Sequence, residues 1–253
     1  MDRLAFNAAA AINEQRLTRQ VSVNELANVL TPGFKRSYES AVVAVTAEGP
    51  GMPTRIQPQA TATDVIQLNP GPVMATGRPL DISMNDRAVL GVSTADGKLA
   101  FTRRGDLRIS STGVLENGSG YAVRADGGGP LTVPVNADVN INADGTVFAV
   151  VPGQGNPAGV LVGRLMLRDA AQTKLERRED GLFQPEGKEN ADITNGTKPT
   201  TVTARALEGS NVNAMQILVK MMDQSRSFEQ QVRIIQEVKS GDEAGSSMMK
   251  LNT

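Results

Sequence analysis

The 253-residue chain contains no histidine, no cysteine and no tryptophan. Without imidazole there is no side-chain base that titrates near neutral pH, so Ser-His-Asp and Cys-His nucleophile arrangements and the commonest zinc sites are excluded. Without thiols there is no disulfide, thiolate nucleophile or iron–sulfur cluster, and the chain can fold uncrosslinked in either redox compartment. Aromatics are scarce, and 6 Phe and 2 Tyr leave any core to aliphatic side chains. An excess of either charge is also absent: 26 Lys and Arg against 27 Asp and Glu give a net charge of −1, which offers no field to gather nucleic acid. Nowhere do 18 apolar residues run together, and the best runs, residues 41–45 and 147–151, are of strand length, so no membrane span is expected. The apolar run of residues 8–12 stops at Asn13 and Glu14, too soon for the core of a cleavable signal peptide.

What remains falls into two kinds of pattern. Residues 2–30 contain no Gly or Pro, are rich in Ala, Leu, Gln, Arg and Glu, and stop at Thr31-Pro32-Gly33, which predicts one long helix. Phe6, Ala10, Asn13, Leu17, Gln20, Asn24 and Ala27 repeat with a 4,3,4,3 spacing, the spacing of a coiled-coil seam, though an unusually polar one. Residues 211–238 form a second such segment, with Ala214, Leu218, Met221, Ser225, Phe228, Val232 and Ile235 as its stripe. Ser210 or Asn211 is placed to cap its start and Gly241 to end it, leaving residues 241–253 as an expected mobile tail. Met215, Met221 and Met222 read as helix packing. Neither stripe carries enough apolar surface to order a helix by itself, so both helices are expected to order mainly by packing against other chains.

Between the helices the pattern changes to short β-branched runs separated by Asp96-Gly97, Asn117-Gly118, Asp126-Gly127, Asp144-Gly145, Asp180-Gly181 and Asn195-Gly196, pairs that tolerate positive φ and suit hairpins. Residues 89–94 against 98–103 and residues 139–142 against 146–150 are the clearest hairpins. Residues 46–80 carry Pro50, Pro53, Pro58, Pro70, Pro72 and Pro79 and read as an extended connection with little regular pairing. The expected fold is therefore α+β: a coiled-coil-like module of the N- and C-terminal helices, with a mainly antiparallel β domain inserted between them. Its expected divisions are a helix over 1–34, a linker over 35–77, the β domain over 78–206, a helix over 207–240 and the tail.

Candidate chemistry is thin. Asp138, Asn140, Asn142 and Asp144 alternate as in a calcium loop, but the glycine and terminal carboxylate positions fall on Ala143 and Ala149, so a hairpin with a polar face is expected. Gly127-Gly128-Gly129 runs into Pro130 and a strand rather than a helix start, which makes it a turn and not a phosphate cradle. Residues 176–180, Glu-Arg-Arg-Glu-Asp, read as a solvated strand end, and Arg103-Arg104 as equally bland. A carboxylate-dependent glycosidase needs two acids in one cleft, and the shortage of stacking rings argues against it. No cofactor or metal is implied.

Several strings resemble one family. NELANVLTPGFKR at residues 24–36 is similar to the N-terminal signature of the bacterial flagellar axial proteins, the rod and hook family, and LEGSNVN at 207–213 to the entry into that family's C-terminal helix. RPLDISM at 78–84, FTRRGDLRISSTGVLENGSGYAV at 101–123 and ADGTV at 143–147 fit as well, so the resemblance covers essentially the whole chain. The Met1-Asp2-Arg3-Leu4 opening, residues 51–55 and the length look most like a proximal-rod member, with distal-rod and hook members as the alternatives. Departures are local: Asn24-Glu25 stands where Asn-Asn or Ser-Asn is common, Leu30 replaces a small residue, and an alanine run at 8–11 replaces a Thr-Gly or Ser-Gly pair. The resemblance implies a structural subunit of the basal-body rod crossing the periplasm, exported through the flagellar type III apparatus without a cleaved signal. Its implied partners are other rod subunits and copies of itself, with no nucleic acid. The residues implied in assembly are Leu17, Asn24, Leu26, Ala27, Asn28, Gly33, Phe34, Leu207, Gly209, Asn211, Val212, Leu218, Met221, Phe228, Val232 and Ile235. A reading from another class, a secreted β-rich binding module with helical oligomerisation stalks, would give a closed soluble oligomer.

Overall fold

A computed structural model describes residues 2–37, 39–46, 56–63, 65–134, 137–151, 159–194, 196 and 198–250, with residues 2–6, 39–46, 56–63 and 249–250 described by backbone alone. The Gly51–Arg55 part of the resemblance, Asn195 and the Phe6 side chain therefore lie outside the described residues. The fold is α+β and divides into two units, one of Met1–Ala27, Tyr38–Thr63 and Asn213–Thr253, the other of Asn28–Ser37 and Asp64–Val212.

In the first unit, α1 (Asp2–Ala27) and α2 (Ala214–Lys250) pack along one another. The start of α2 is capped by Asn213, whose Oδ1 accepts the amides of Met215 and Gln216 at 3.0 and 3.3 Å. The expected caps are committed elsewhere: Ser210 Oγ accepts the Val212 amide at 3.2 Å and Asn211 bridges two other segments. Nor does α2 stop at Gly241. Gly241 and Gly245 are absent from the positive-φ residues, and the helix runs through both to Lys250, so the expected mobile tail is helical over 241–250. A helical glycine costs only about 1 kcal/mol relative to alanine and no proline intervenes, so neither glycine is a sufficient stop.

The same unit holds a two-stranded antiparallel hairpin, β1 (Glu39–Thr46) with β2 (Ile56–Thr63), in full register from Glu39 opposite Thr63 to Thr46 opposite Ile56. The expectation of little regular pairing here is thus corrected. Pro58 sits opposite Ala44 and is tolerated because a two-stranded ribbon consists only of edges, where a missing N–H need not break a ladder.

The second unit is all strand and turn. It contains β3 (Val73–Ala75), β4 (Ile82–Met84), β5 (Ala88–Ser93), β6 (Leu99–Thr102), β7 (Leu107–Ile109), β8 (Leu115–Asn117) and β9 (Ala122–Val123). It continues with β10 (Asp138–Ile141), β11 (Thr146–Val150), β12 (Val160–Arg164), β13 (Leu167–Asp169), β14 (Leu175–Arg177), β15 (Phe183–Pro185), β16 (Val202–Ala204) and β17 (Ala206–Glu208). The largest sheet has the order β14-β15-β6-β5-β9-β8-β7, with β13 also on β5. A second sheet has the order β10-β11-β12, and two short pairs, β4 with β16 and β3 with β17, bring the two ends of the unit's chain together.

Both clearest hairpins form. Val92 opposes Ala100 across a turn whose Gly97 has φ +73°, and Ile141 opposes Val147 across a turn whose Gly145 has φ +83°. Asp138 and Asn140 face out and Val139 and Ile141 face in on β10, while Asp144 Oδ1 accepts the Thr146 hydroxyl, so this acidic segment is a hairpin with a polar face. Two hydrophobic clusters fill the unit, one aliphatic around Leu90, Leu107, Leu115, Val147 and Leu165, the other around Val89, Phe101, Leu175 and Phe183.

Candidate functional site

Two features of the molecule are built to connect rather than to react. The first lies wholly in the second unit. Lys35 is fully buried, and its Nζ donates to Glu208 Oε1 at 2.6 Å and to the Asn69 carbonyl at 2.9 Å. Glu208 Oε1 also accepts the Gly71 amide at 2.9 Å, and Oε2 accepts Arg103 Nε at 2.7 Å. Arg103, 1% exposed, spends its remaining donors on the carbonyls of Met84, Asp86 and Ala88 at 2.6 to 2.9 Å and on a 2.7 Å contact from Nη2 to Glu208 Oε2. One carboxylate thus serves two cations, and three stretches of chain distant in sequence are drawn to it. Desolvation by burial, the largest influence, together with the nearby Arg103 charge holds the Lys35 ammonium below the usual lysine range, although Glu208 opposes the shift.

Backbone and glycine geometry reinforce the clasp. Gly33 donates its amide to the Glu208 carbonyl at 2.7 Å, has φ +69°, and lies so close to the Arg103 carbonyl that a β-carbon would overlap it. Only glycine meets both conditions. Gly71 is equally tight against the Gly209 carbonyl, and Gly209 donates to Pro72 O at 2.8 Å. Asn211 Oδ1 accepts the Arg36 amide at 2.8 Å, its Nδ2 donates to Gln67 O at 2.8 Å, and its own amide reaches Phe34 O at 3.2 Å. Phe34 is half-buried beneath the Arg177 guanidinium, 4.6 Å from carbon to ring centroid, and Arg177 donates to the Lys35 carbonyl and to Ser37 Oγ. The strand-end cluster expected to be solvated therefore contributes one tethering arginine. Arg103, expected to be bland, is the hub of the unit's ionic network.

Of the residues singled out from sequence, the clasp gathers Gly33, Phe34, Gly209 and Asn211, with Leu207 half-buried on β17, Val212 buried just beyond, and Asn28 receiving the Thr31 amide and hydroxyl at 3.2 Å. Sequence reasoning missed Lys35, Arg103 and Glu208 themselves. All three stand inside the strings that carry the resemblance, and that placement was the available signal.

The second feature is the pair of faces on α1 and α2. Ala8, Ala11, Gln15, Thr18, Ser22 and Glu25 form the less exposed face of α1, again at 3,4,3,4,3 spacing, with Ser22 and Glu25 at 0% and 3% exposure. The corresponding face of α2 is Ile217, Met221, Gln224, Ser227, Gln231, Ile235 and Val238. Gln15 Nε2 donates to Ser227 Oγ and Gln224 Nε2 to Ser22 Oγ, so the seam between the helices is largely polar. The stripe expected on α1 lies roughly 150° round the helix from this seam at 100° per residue. Leu17, Asn24 and Ala27 are exposed and Leu26 is half-buried. On α2 the expected stripe is only partly inside: Met221, Val232 and Ile235 are half-buried, whereas Leu218 and Phe228 are 45% and 43% exposed. The sequence stripe tracked hydrophobicity, and this chain turns much of its helical hydrophobicity outward. Among the described residues no helix is long and apolar enough to cross a membrane.

A clasp of buried charge in one unit and, in the other, two long helices that leave large apolar side chains exposed are the equipment of an assembly subunit. Comparison with known proteins agrees. The family model described as flagellar hook protein FlgE/F/G D1 domain matches residues 85–149, and that described as flagellar basal body rod FlgEFG protein C-terminal matches residues 203–248. The chain is 34% identical to the flagellar basal-body rod protein FlgF of Escherichia coli (strain K12), covering 100% of this chain and 99% of that one. To FlgF of Salmonella typhimurium (strain LT2) it is 31% identical over 100% of both chains. To FlgG of Buchnera aphidicola subsp. Acyrthosiphon pisum it is 29% identical over 86% of this chain and 88% of that one. The chain belongs to the flagellar rod and hook protein family. Within that family it is a basal-body rod structural subunit, and among these relatives its likeness is highest to FlgF.

Proposed function

We propose that this rod subunit works in the proximal rod and builds the tubular drive shaft through its terminal helices, which seat against helices of neighbouring rod subunits and of further copies of itself. The observation that carries this reading is the outward placement of Leu17, Val23, Leu218, Val219 and Phe228, each between 43% and 56% exposed, on helices whose mutual seam is polar. Large apolar side chains left in water gain free energy when another chain covers them, on the order of 25 cal/mol per Å². A contact repeated head to tail without closing gives a helical filament, the geometry a shaft requires.

The work is mechanical and needs no catalysis. A chain without cysteine passes from a reducing to an oxidising compartment without crosslinking, which suits export unfolded through the flagellar type III apparatus into the rod that crosses the periplasm. A distal-rod position is the second reading, favoured by the FlgG relatives at 26–29% identity.

The test is replacement of Phe228 by Asp and, separately, of Leu17 by Asp in the full chain. Both variants are expected to be produced with a folded β unit and to fail to complete the rod, abolishing motility. Normal motility in both would overturn the assignment of these faces.

A further inference from the structure

The clasp has a consequence beyond assembly through the helices. We infer that Lys35, Glu208 and Arg103 are positioning residues that hold the chain leaving α1 beside the chain entering α2, and do so only once the β unit has folded. The inference rests on the rod-subunit reading for its purpose but not for its test.

Three observations lead to it. Every segment meeting at Glu208 comes from a different part of the chain: residues 33–36 follow α1, residues 69–71 precede β3, Arg103 follows β6, and Glu208 itself ends β17 three residues before Asn211. Arg103 is aimed by carbonyls of residues 84, 86 and 88, so the cationic half of the clasp exists only when β4 and β5 are in place. The charges do not balance: two buried cations share one carboxylate. A buried ionic group gives little net stability compared with apolar packing, but it is intolerant of a missing partner, so it selects one arrangement sharply against others. Residues 33–36 are therefore captured or released as a unit. The folded β unit supplies the carboxylate and the arginine, and the incoming segment supplies Lys35.

Such a device makes the close approach of the chain leaving α1 and the chain entering α2 conditional on a finished β unit. A partly folded subunit would leave both connections into its helix pair unfixed, a poorer start for assembly.

The chain lacks cysteine, so nitroxide labels can be placed at will. Leu30→Cys and Met74→Cys put them on side chains that are 90% and 55% exposed, one on the turn leading into the captured segment and one on β3, both within the second unit. In the otherwise unaltered chain the pulsed-EPR distance distribution between them is expected to be narrow. Glu208→Gln, and independently Lys35→Met, should widen it about twofold or more while amide exchange at Leu107 and Leu115 stays protected. A narrow distribution in both variants overturns the inference, whatever their motility. If Glu208→Gln also unfolds the sheets, Lys35→Met decides, because it leaves the Glu208–Arg103 pair intact: broadening supports the positioning role and an unchanged width refutes it. Widened distances together with normal motility would overturn the link to assembly while leaving the rod reading untouched.

Discussion

The guanidinium of Arg177 lies over the ring of Phe34, 4.6 Å from carbon to centroid, while its Nη2 donates to the backbone carbonyl of Lys35 and its Nε to Ser37 Oγ at 3.3 Å. The strand β14 thereby grips the same segment after α1 that Glu208 holds through Lys35, and does so through shape as well as charge. Arg177→Lys keeps the charge but loses the planar fork, so it is expected to cost nearly as much as Arg177→Ala, about 1–3 kcal/mol of unfolding free energy. Urea unfolding of the full chain checks this, and a lysine variant as stable as wild type would show that charge alone suffices.

Gly33 and Gly97 have nearly the same backbone, φ +69° and +73°, but different surroundings. A β-carbon on Gly97 meets open space, whereas one on Gly33 runs into the Arg103 carbonyl. Gly97→Ala should therefore cost only the left-handed strain of about 1–2 kcal/mol, and Gly33→Ala distinctly more, with the clasp displaced. Paired thermal melts separate the two contributions; equal losses would mean that the close approach relaxes freely.

These positions also mark how far the sequence could be read. Asp96-Gly97 and Asp144-Gly145 announced their hairpins because each three-residue loop, closed between Thr94 and Lys98 or between Asn142 and Thr146, needs a left-handed residue at its end, which glycine supplies. Pro32-Gly33 likewise announced the end of α1. The clasp was invisible to that reasoning, since Lys35 and Glu208 stand 173 positions apart and each looks locally like a surface charge. Which neighbour each helix face meets was not legible for a different reason: periodicity finds one side of a helix, and it does not say whether that side meets the chain's own helix or another chain's. The length of α2 was underestimated because glycine weakens a helix without having to end it.

Lys35 gives the fold a pH dependence of definite sign. Its ammonium is held below the usual lysine value of 10.5, first by desolvation and then by Arg103 against the pull of Glu208, so the folded chain binds fewer protons there than the unfolded chain does. The destabilising contribution is complete below the folded pKa and is relieved as pH rises from it towards 10.5. The stability difference between wild type and Lys35→Met should accordingly shift in favour of wild type across that alkaline window. Denaturant midpoints of both proteins, measured as a function of pH, check it, and parallel curves would show that Lys35 titrates normally.

The two faces of α2 can be separated at adjacent positions. Ile217 is 2% exposed and Leu218 is 45% exposed, though one residue apart and similar in size. Ile217→Ala removes buried methyl groups from a packed site and is expected to cost about 2–4 kcal/mol in the isolated chain. Leu218→Ala removes a half-solvated side chain and should cost well under about 1 kcal/mol there. If the outer face is where other chains seat, the order reverses in the cell: Leu218→Asp, harmless to the isolated chain's melting, should impair rod completion, because a carboxylate would be buried without a partner once a neighbour covers it. Circular dichroism melts and motility assays on the same variants give both readings, and a Leu218→Asp strain that swims normally would remove this residue from the contact.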